Sequence, residues 1–203
     1  MKSTVNPPAD FDPVVNLARQ AMYRFAALAF LDPQAGAWER LNALRDHPLL
    51  FDGAALIRSL PEARPAEFGP GESPIEMLDP RRMLDRLPDS ERALNSQYEN
   101  IFGLLVSSNC PPYETEYINS KFAFQRSNTL ADISGFYQAF GLTPSDRRPE
   151  RADHIVLELE FMATLLGLER RAADEDSNPQ KDRQQVCRDA QARFLQEHLA
   201  WWV

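Results

Sequence analysis

The sequence is short of the residues that staple a fold, span a bilayer or grip phosphate. Its 203 residues hold two cysteines, Cys110 and Cys187, neither in a CxxC or metal-type spacing. That excludes a disulfide framework and leaves reduced thiols as the expected state. Basic charge is also scarce: 22 Lys+Arg against 30 Asp+Glu give a formal net charge of −8. A surface of that sign argues against nucleic acid as a partner and against stable association with an anionic membrane face. It suits basic partners, such as an arginine-bearing peptide, and it also serves plain solubility. No apolar run approaches the ~18 residues needed to cross a bilayer. The opening, MKSTVNPPADFDP, lacks the apolar core of a secretory signal. Together these absences point to the cytoplasm.

Catalytic signatures are missing too. There is no GxGxxG or GxxxxGK[ST] loop, no HExxH and no GxSxG elbow. The three histidines, His47, His154 and His198, lie far apart in the chain. An enzyme is therefore not the expectation, nor a cofactor of its own, although a nucleophile whose partners come from distant parts of the chain stays open.

What the chain does have is helical periodicity. Asp12-Pro13 reads as an N-cap with proline at the first helical position. Behind it Val14, Leu17, Ala18, Met22, Phe25 and Leu28 recur at helical spacing until Asp32-Pro33. Shorter helices are expected over 37–45, 49–60 and 80–87. Residues 61–75 are rich in proline and glycine and form a loop or a boundary between two lobes. Asp89 or Ser90 caps a helix carrying Leu94, Tyr98, Ile101 and Phe102, which Gly103 ends. Ser127 or Asn128 caps the next, which Gly141 stops. From about Ala152 to Ala172 the apolar residues surround much of the girth, which marks a central helix. A polar loop near 173–181 leads to a last helix from about Asp182. No strand pattern or repeat emerges. The expectation is all-α: a single helical-bundle domain over 1–203. The ending, Trp201-Trp202-Val203, is apolar and uncapped. It reads as an end that docks on the body, exchanges between chains of a homodimer, or is cut short; monomer and homodimer both stay open.

Two constellations carry chemical potential. Glu150, His154 and Glu158 are spaced i, i+4, i+8 and share a face if a helix reaches back to Glu150. Such a stripe can bind a metal in a helical enzyme. The plainer reading places Glu150 and Asp153 in a helix's first turn, where negative charge suits the dipole and one of them caps. The second is Tyr113, Glu114, Glu116 and Tyr117, behind the rigid Pro111-Pro112 pair. Two aromatics and two carboxylates on a fixed segment can receive a basic, partly apolar peptide, and the aromatics serve equally well as core residues.

In order and spacing, several segments resemble the TorD/DmsD/NarJ family of redox-enzyme maturation chaperones. The likeness is strongest to the branch serving type II enzymes of the dimethyl sulfoxide reductase family. That family's aromatic-x-x-leucine-phenylalanine mark reads Tyr98-Glu99-Asn100-Ile101-Phe102 here, with isoleucine for leucine. Its Glu-Pro-x-Asp-His mark reads Glu150-Arg151-Ala152-Asp153-His154, with Arg151 for proline. RQAMYRFAALAFLDP, PPYETEY, ADISGFYQAFGL, HIVLELEFMATL and FLQEHLAWWV are similar as well. The resemblance implies a TorD-like all-helical fold and no catalysis. It also implies binding of the N-terminal leader, often of twin-arginine type, of a molybdenum-containing oxidoreductase catalytic subunit until its cofactor is inserted and export follows. Glu150, Asp153 and His154 inherit the leader-binding role, and Tyr98 and Phe102 the packing that shapes a groove. A carboxylate pairs well with each arginine of such a leader, Glu150 and Asp153 first, Glu114 and Glu116 second. The rivals are the metal-dependent enzyme and a generic helical adaptor.

Overall fold

A computed structural model describes residues 11–61, 72–103, 110–118, 123–147, 149–174 and 178–203. Among them are eight helices and no strand. The helices are α1 (Pro13–Ala29), α2 (Ala37–Ala43), α3 (Pro48–Ser59), α4 (Arg81–Leu84), α5 (Glu91–Phe102), α6 (Ala123–Ala139), α7 (Ile155–Asp174) and α8 (Asn178–Glu197). Short 3₁₀ turns cover Pro33–Ala35, Ile75–Met77, Glu114–Glu116 and Leu199–Trp201. The expected all-α bundle is the observed one.

Local chemistry sets several of the boundaries. Asp12 Oδ1 accepts the free N–H groups of Val14 and Val15 at 2.8 and 3.1 Å, with Pro13 opening α1. Ser90 Oγ does the same for Ala93 at the start of α5. Gly103 and Gly141 take positive φ, 73° and 70°, just after α5 and α6.

Two helices start earlier than the capping signals suggest. α6 runs straight through Ser127 and Asn128, both exposed, and Thr129 Oγ1 turns back to the Gln125 carbonyl at 3.1 Å. A cap residue on a solvent-facing side is tolerated inside a helix, because its preference for the end is weak against continued backbone bonding. α8 begins at Asn178 rather than near Asp182, with Pro179 in its first turn, where a missing N–H costs nothing. Of the polar loop expected near 173–181, residues 175–177 lie outside the described residues. Most of the proline- and glycine-rich 61–75 stretch lies outside the described residues.

Helix α7 is the hub, as its apolar girth suggests. Phe161, Met162 and Leu165 pack with Ile133 and Tyr137 of α6 and Phe194 of α8. The Phe161 and Phe194 rings sit 4.8 Å apart, and Tyr137 lies 4.9 Å from Phe161. Burial of each such side chain contributes on the order of 2 kcal/mol. A second cluster, with Leu28, Leu41, Leu50, Phe51 and Leu84, joins α1 to α2, α3 and α4. Helix α1 serves both, Ala27 in one and Leu28 in the other.

Polar bonds fix α1 against α7. Buried Gln20 donates to the Ala163 carbonyl at 2.7 Å, over Gly167, where an added Cβ would meet Gln20 Nε2 at 2.7 Å. Buried Glu169 accepts from Asn16, Gln191 and Arg188 at 3.0, 2.9 and 2.6 Å, tying α1, α7 and α8 together. Val14 and Leu17, on the apolar face of α1, are exposed and line an open groove against α3 with Leu49.

Candidate functional site

The segment before α7 and the PPYETEY segment come together through backbone bonds. Ile155 N–H donates to the Pro112 carbonyl and Glu114 N–H to the Asp153 carbonyl, both at 2.9 Å. Tyr113 and His154 form an isolated antiparallel bridge. Two stretches some forty positions apart are thereby locked side by side, and the two candidate constellations become one site.

At its centre sits Asp153, fully buried. Its Oδ2 accepts from Thr115 N at 3.1 Å, from Thr115 Oγ1 at 2.7 Å and from Arg151 NH2 at 2.8 Å. Arg151 Nε adds a 3.1 Å bond to Oδ1, which makes the pair bidentate. The same guanidinium reaches Glu116 at 3.2 Å and lies over the Tyr113 ring, 4.4 Å from its centroid. Glu116 also pairs with Arg126 at 3.3 Å. Exposed Glu150 accepts from the Tyr113 hydroxyl at 3.0 Å. Burial, followed by that bond and the charge of Glu150, pushes the Tyr113 hydroxyl up to about 12. Tyr98 on α5 is pushed to about 12 as well, by burial, then Asp32 and Glu150. Its ring lies 4.8 Å from Phe102, which meets Phe30 at 6.3 Å.

His154 is buried beside Tyr113, the rings 5.2 Å apart edge to face. Its Nδ1 accepts the Val156 N–H at 3.2 Å, so His154, not Glu150 or Asp153, caps α7. Burial lowers its pKa, in keeping with a neutral ring whose Nδ1 is an acceptor. The i, i+4, i+8 stripe of Glu150, His154 and Glu158 does not form. Helix α7 begins at Ile155, because the backbone on either side of that point is engaged with Pro112 and Tyr113, and Glu150 lies in non-helical chain.

Below the surface is a second acid cluster that spacing alone did not reveal. Glu114 and Glu158 are fully buried as neighbours. Trp201 Nε1 donates to Glu114 at 3.0 Å and Trp202 Nε1 to Glu158 at 3.3 Å. His198 Nδ1 lies 3.1 Å from Glu114 Oε2. Burial first, then the charge of Glu114, raises the Glu158 carboxyl to about 10, so it is protonated at neutral pH. As a bare carboxylate its Oε1 would have no partner. Tyr117, half exposed, covers this cluster through its ring contact with Trp202 at 5.3 Å. The one available signal was the docked ending, FLQEHLAWWV, whose indoles need acceptors when buried.

The predicted site residues thus divide by depth. Glu150, Glu116, Tyr113 and Tyr117 reach solvent, whereas Asp153, His154 and Glu114 lie beneath them. Tyr98 of α5 lies near Glu150 and Tyr113, with Phe102 packed behind it.

Over 193 residues the chain is 25% identical to the perchlorate reductase assembly chaperone protein of Dechloromonas aromatica (strain RCB), covering 93% of this chain and 75% of that one. Over 78 residues it is 36% identical to the selenate reductase assembly chaperone protein of Thauera selenatis, covering 38% of each. The same figures hold for the chlorate reductase assembly chaperone protein of Ideonella dechloratans. No solved structure matches the chain. These relatives are named as assembly chaperones and not as catalysts, which agrees with a binding protein rather than an enzyme. Residues 77–203, more than half of the chain, match the family model described as nitrate reductase delta subunit, and the chain belongs to that family.

Proposed function

We propose that this chain is a cytoplasmic assembly chaperone for the catalytic subunit of a molybdenum-containing reductase. It binds that subunit's N-terminal leader, of twin-arginine type, and holds the subunit while its cofactor is inserted and before it is exported. The names of the relatives support the chaperone role. The leader-binding role is supported by one observation above all: the clamp of Asp153, Glu116 and the Tyr113 face already holds a guanidinium, that of Arg151.

A leader arginine finds the same chemistry at the rim. Glu150 and Glu116 supply charge, Tyr113 and Tyr117 supply aromatic faces, and Asp153 and His154 hold the rim in place from below. Arg151 competes for this clamp, so the first leader arginine displaces it or pairs with Glu150 beside it. The Arg151 side chain is 40% exposed, so exchange is open to solvent.

The test is fluorescence anisotropy with leader-type peptides carrying Arg-Arg or Lys-Lys before an apolar stretch. Arg-Arg is expected to bind about tenfold more tightly, because Lys cannot bond bidentately. Arg151→Met is expected to melt lower alone and to regain its loss when the Arg-Arg peptide takes the vacated place. Equal affinity for both peptides, with no rescue of the variant, would overturn the assigned site.

A further inference from the structure

The face of α6 opposite the end of α8 carries a polar cavity of ≈ 560 Å³ bordered by Asn128, Thr129, Asp132, Glu197 and His198. It is separate from the Glu150–Arg151 rim. His198 is 2% exposed, and its Nε2 has no hydrogen-bond partner. That nitrogen faces Asp132 Oδ2 at 3.4 Å without the alignment of a hydrogen bond. One ligand atom each from His198, Asp132 and Glu197 lie within 4.8 Å of one another.

The other ring nitrogen explains the orientation. Nδ1 lies 3.1 and 3.2 Å from the two oxygens of buried Glu114. An Nδ1–H donating to Glu114 leaves the Nε2 lone pair pointing at two carboxylates. A lone pair and two anions in one place repel unless a cation sits between them. A carboxylate behind an imidazole is also the arrangement that orients a metal-binding histidine and raises its basicity. Trp201 Nε1 donates to Glu114 at 3.0 Å and holds that carboxylate in turn.

We infer that His198 Nε2, Asp132 and Glu197 bind a divalent first-row transition-metal ion, with Glu114 as the group behind the histidine. One imidazole and two carboxylates suit Zn²⁺ and its neighbours better than Ca²⁺ or Mg²⁺. Metal–ligand bonds of about 2.0–2.2 Å require the carboxylates to close slightly. Both acids are exposed, so their side chains are free to do so. Glu197 exchanges a surface pair with Arg193, at 3.1 Å, which is a weak competitor. Water from the open cavity fills the remaining positions. The ion would pin α6 to the C-terminal turn, one residue contact away from the PPYETEY segment. This goes beyond the leader-binding reading and does not depend on it.

The experiment is titration of the full chain, stripped with chelator, with Zn²⁺ alone, followed by calorimetry and thermal melting. One ion per chain is expected, with a rise in Tm of about 5 °C at a hundredfold excess over Kd. Asp132→Asn, on an exposed side chain, is expected to weaken binding at least tenfold and to leave the metal-free Tm unchanged. His198→Gln abolishes binding; if that variant fails to fold, the Asp132→Asn result decides alone. His47→Gln removes an exposed histidine elsewhere and is expected to bind Zn²⁺ as the parent does. Co²⁺ substitution should give a visible d–d band that Asp132→Asn alters. The inference is overturned by absence of saturable binding. Binding that survives Asp132→Asn unchanged, or that is lost with His47→Gln, would overturn it equally.

Discussion

Asp153 and Glu158 are five residues apart, both fully buried, and they meet the cost of burial in opposite ways. Asp153 draws in a cation and two donors: the Arg151 guanidinium and the N–H and hydroxyl of Thr115. Glu158 has another carboxyl, Glu114, and an indole for neighbours, and takes a proton. The rim around Asp153 therefore holds a guanidinium, that of Arg151. The cluster around Glu158 joins α7 to the C-terminal turn through the two indole bonds. A buried charge costs several kcal/mol unless paired, and the two acids show the available remedies.

The largest break in that contrast comes from Asp153→Ala. It leaves Arg151 and Thr115 without their acceptor and is expected to destabilise the fold by about 3 kcal/mol. Urea denaturation measures it, and a loss below about 1 kcal/mol would mean that Asp153 is not the centre of the clamp.

The next effect is a pH slope. The Glu158 carboxyl titrates near 10 in the folded chain against 4.5 ordinarily. Between those values the folded chain holds the extra proton. The stability this contributes is fully present below pH 4.5 and is lost as pH rises toward 10, by up to about 1.4 kcal/mol per unit. Glu158→Gln keeps the shape without the proton, so its stability should be flatter from pH 7 to 9. Parallel slopes for parent and variant would remove the protonated-acid reading.

The smallest expected change lies with His154. Its pKa is lowered by burial, so the folded chain resists protonation. Stability then falls as pH drops below 6.5, when the unfolded chain takes a proton that the folded one refuses. His154→Ala costs about 1 kcal/mol through loss of the cap on Val156 and removes this acid-side slope. A stability curve of the variant that still bends below pH 6.5 would place the responsible group elsewhere.

Much of this molecule is legible in its residue order. Asp12, Ser90, Gly103 and Gly141 mark helix ends where the local chemistry says they should, because caps act within a turn of the chain. The central place of α7 followed from apolar residues all around it. Ser127, Asn128 and Asp182 misled for the same local reason: a capping residue states a preference of about 1 kcal/mol, which continued helix bonding outweighs. The Glu150–His154–Glu158 stripe failed because it presumed a helix at Glu150, where the chain instead pairs with Tyr113 and Pro112.

The all-helical class, the acidic surface, the lack of catalytic signatures and the residues that carry the family likeness are written in the order of the residues. Periodicity, caps and composition are local or additive, and one chain is enough to read them. Packing in three dimensions sets which acids are buried, that Arg151 fills the clamp, and that Glu114, Glu158, His198 and Trp202 form one cluster. Glu114 and Trp201 are 87 positions apart. Desolvation and hydrogen-bond satisfaction depend on what folds over a group, and that is set by packing between distant segments rather than by neighbours along the chain.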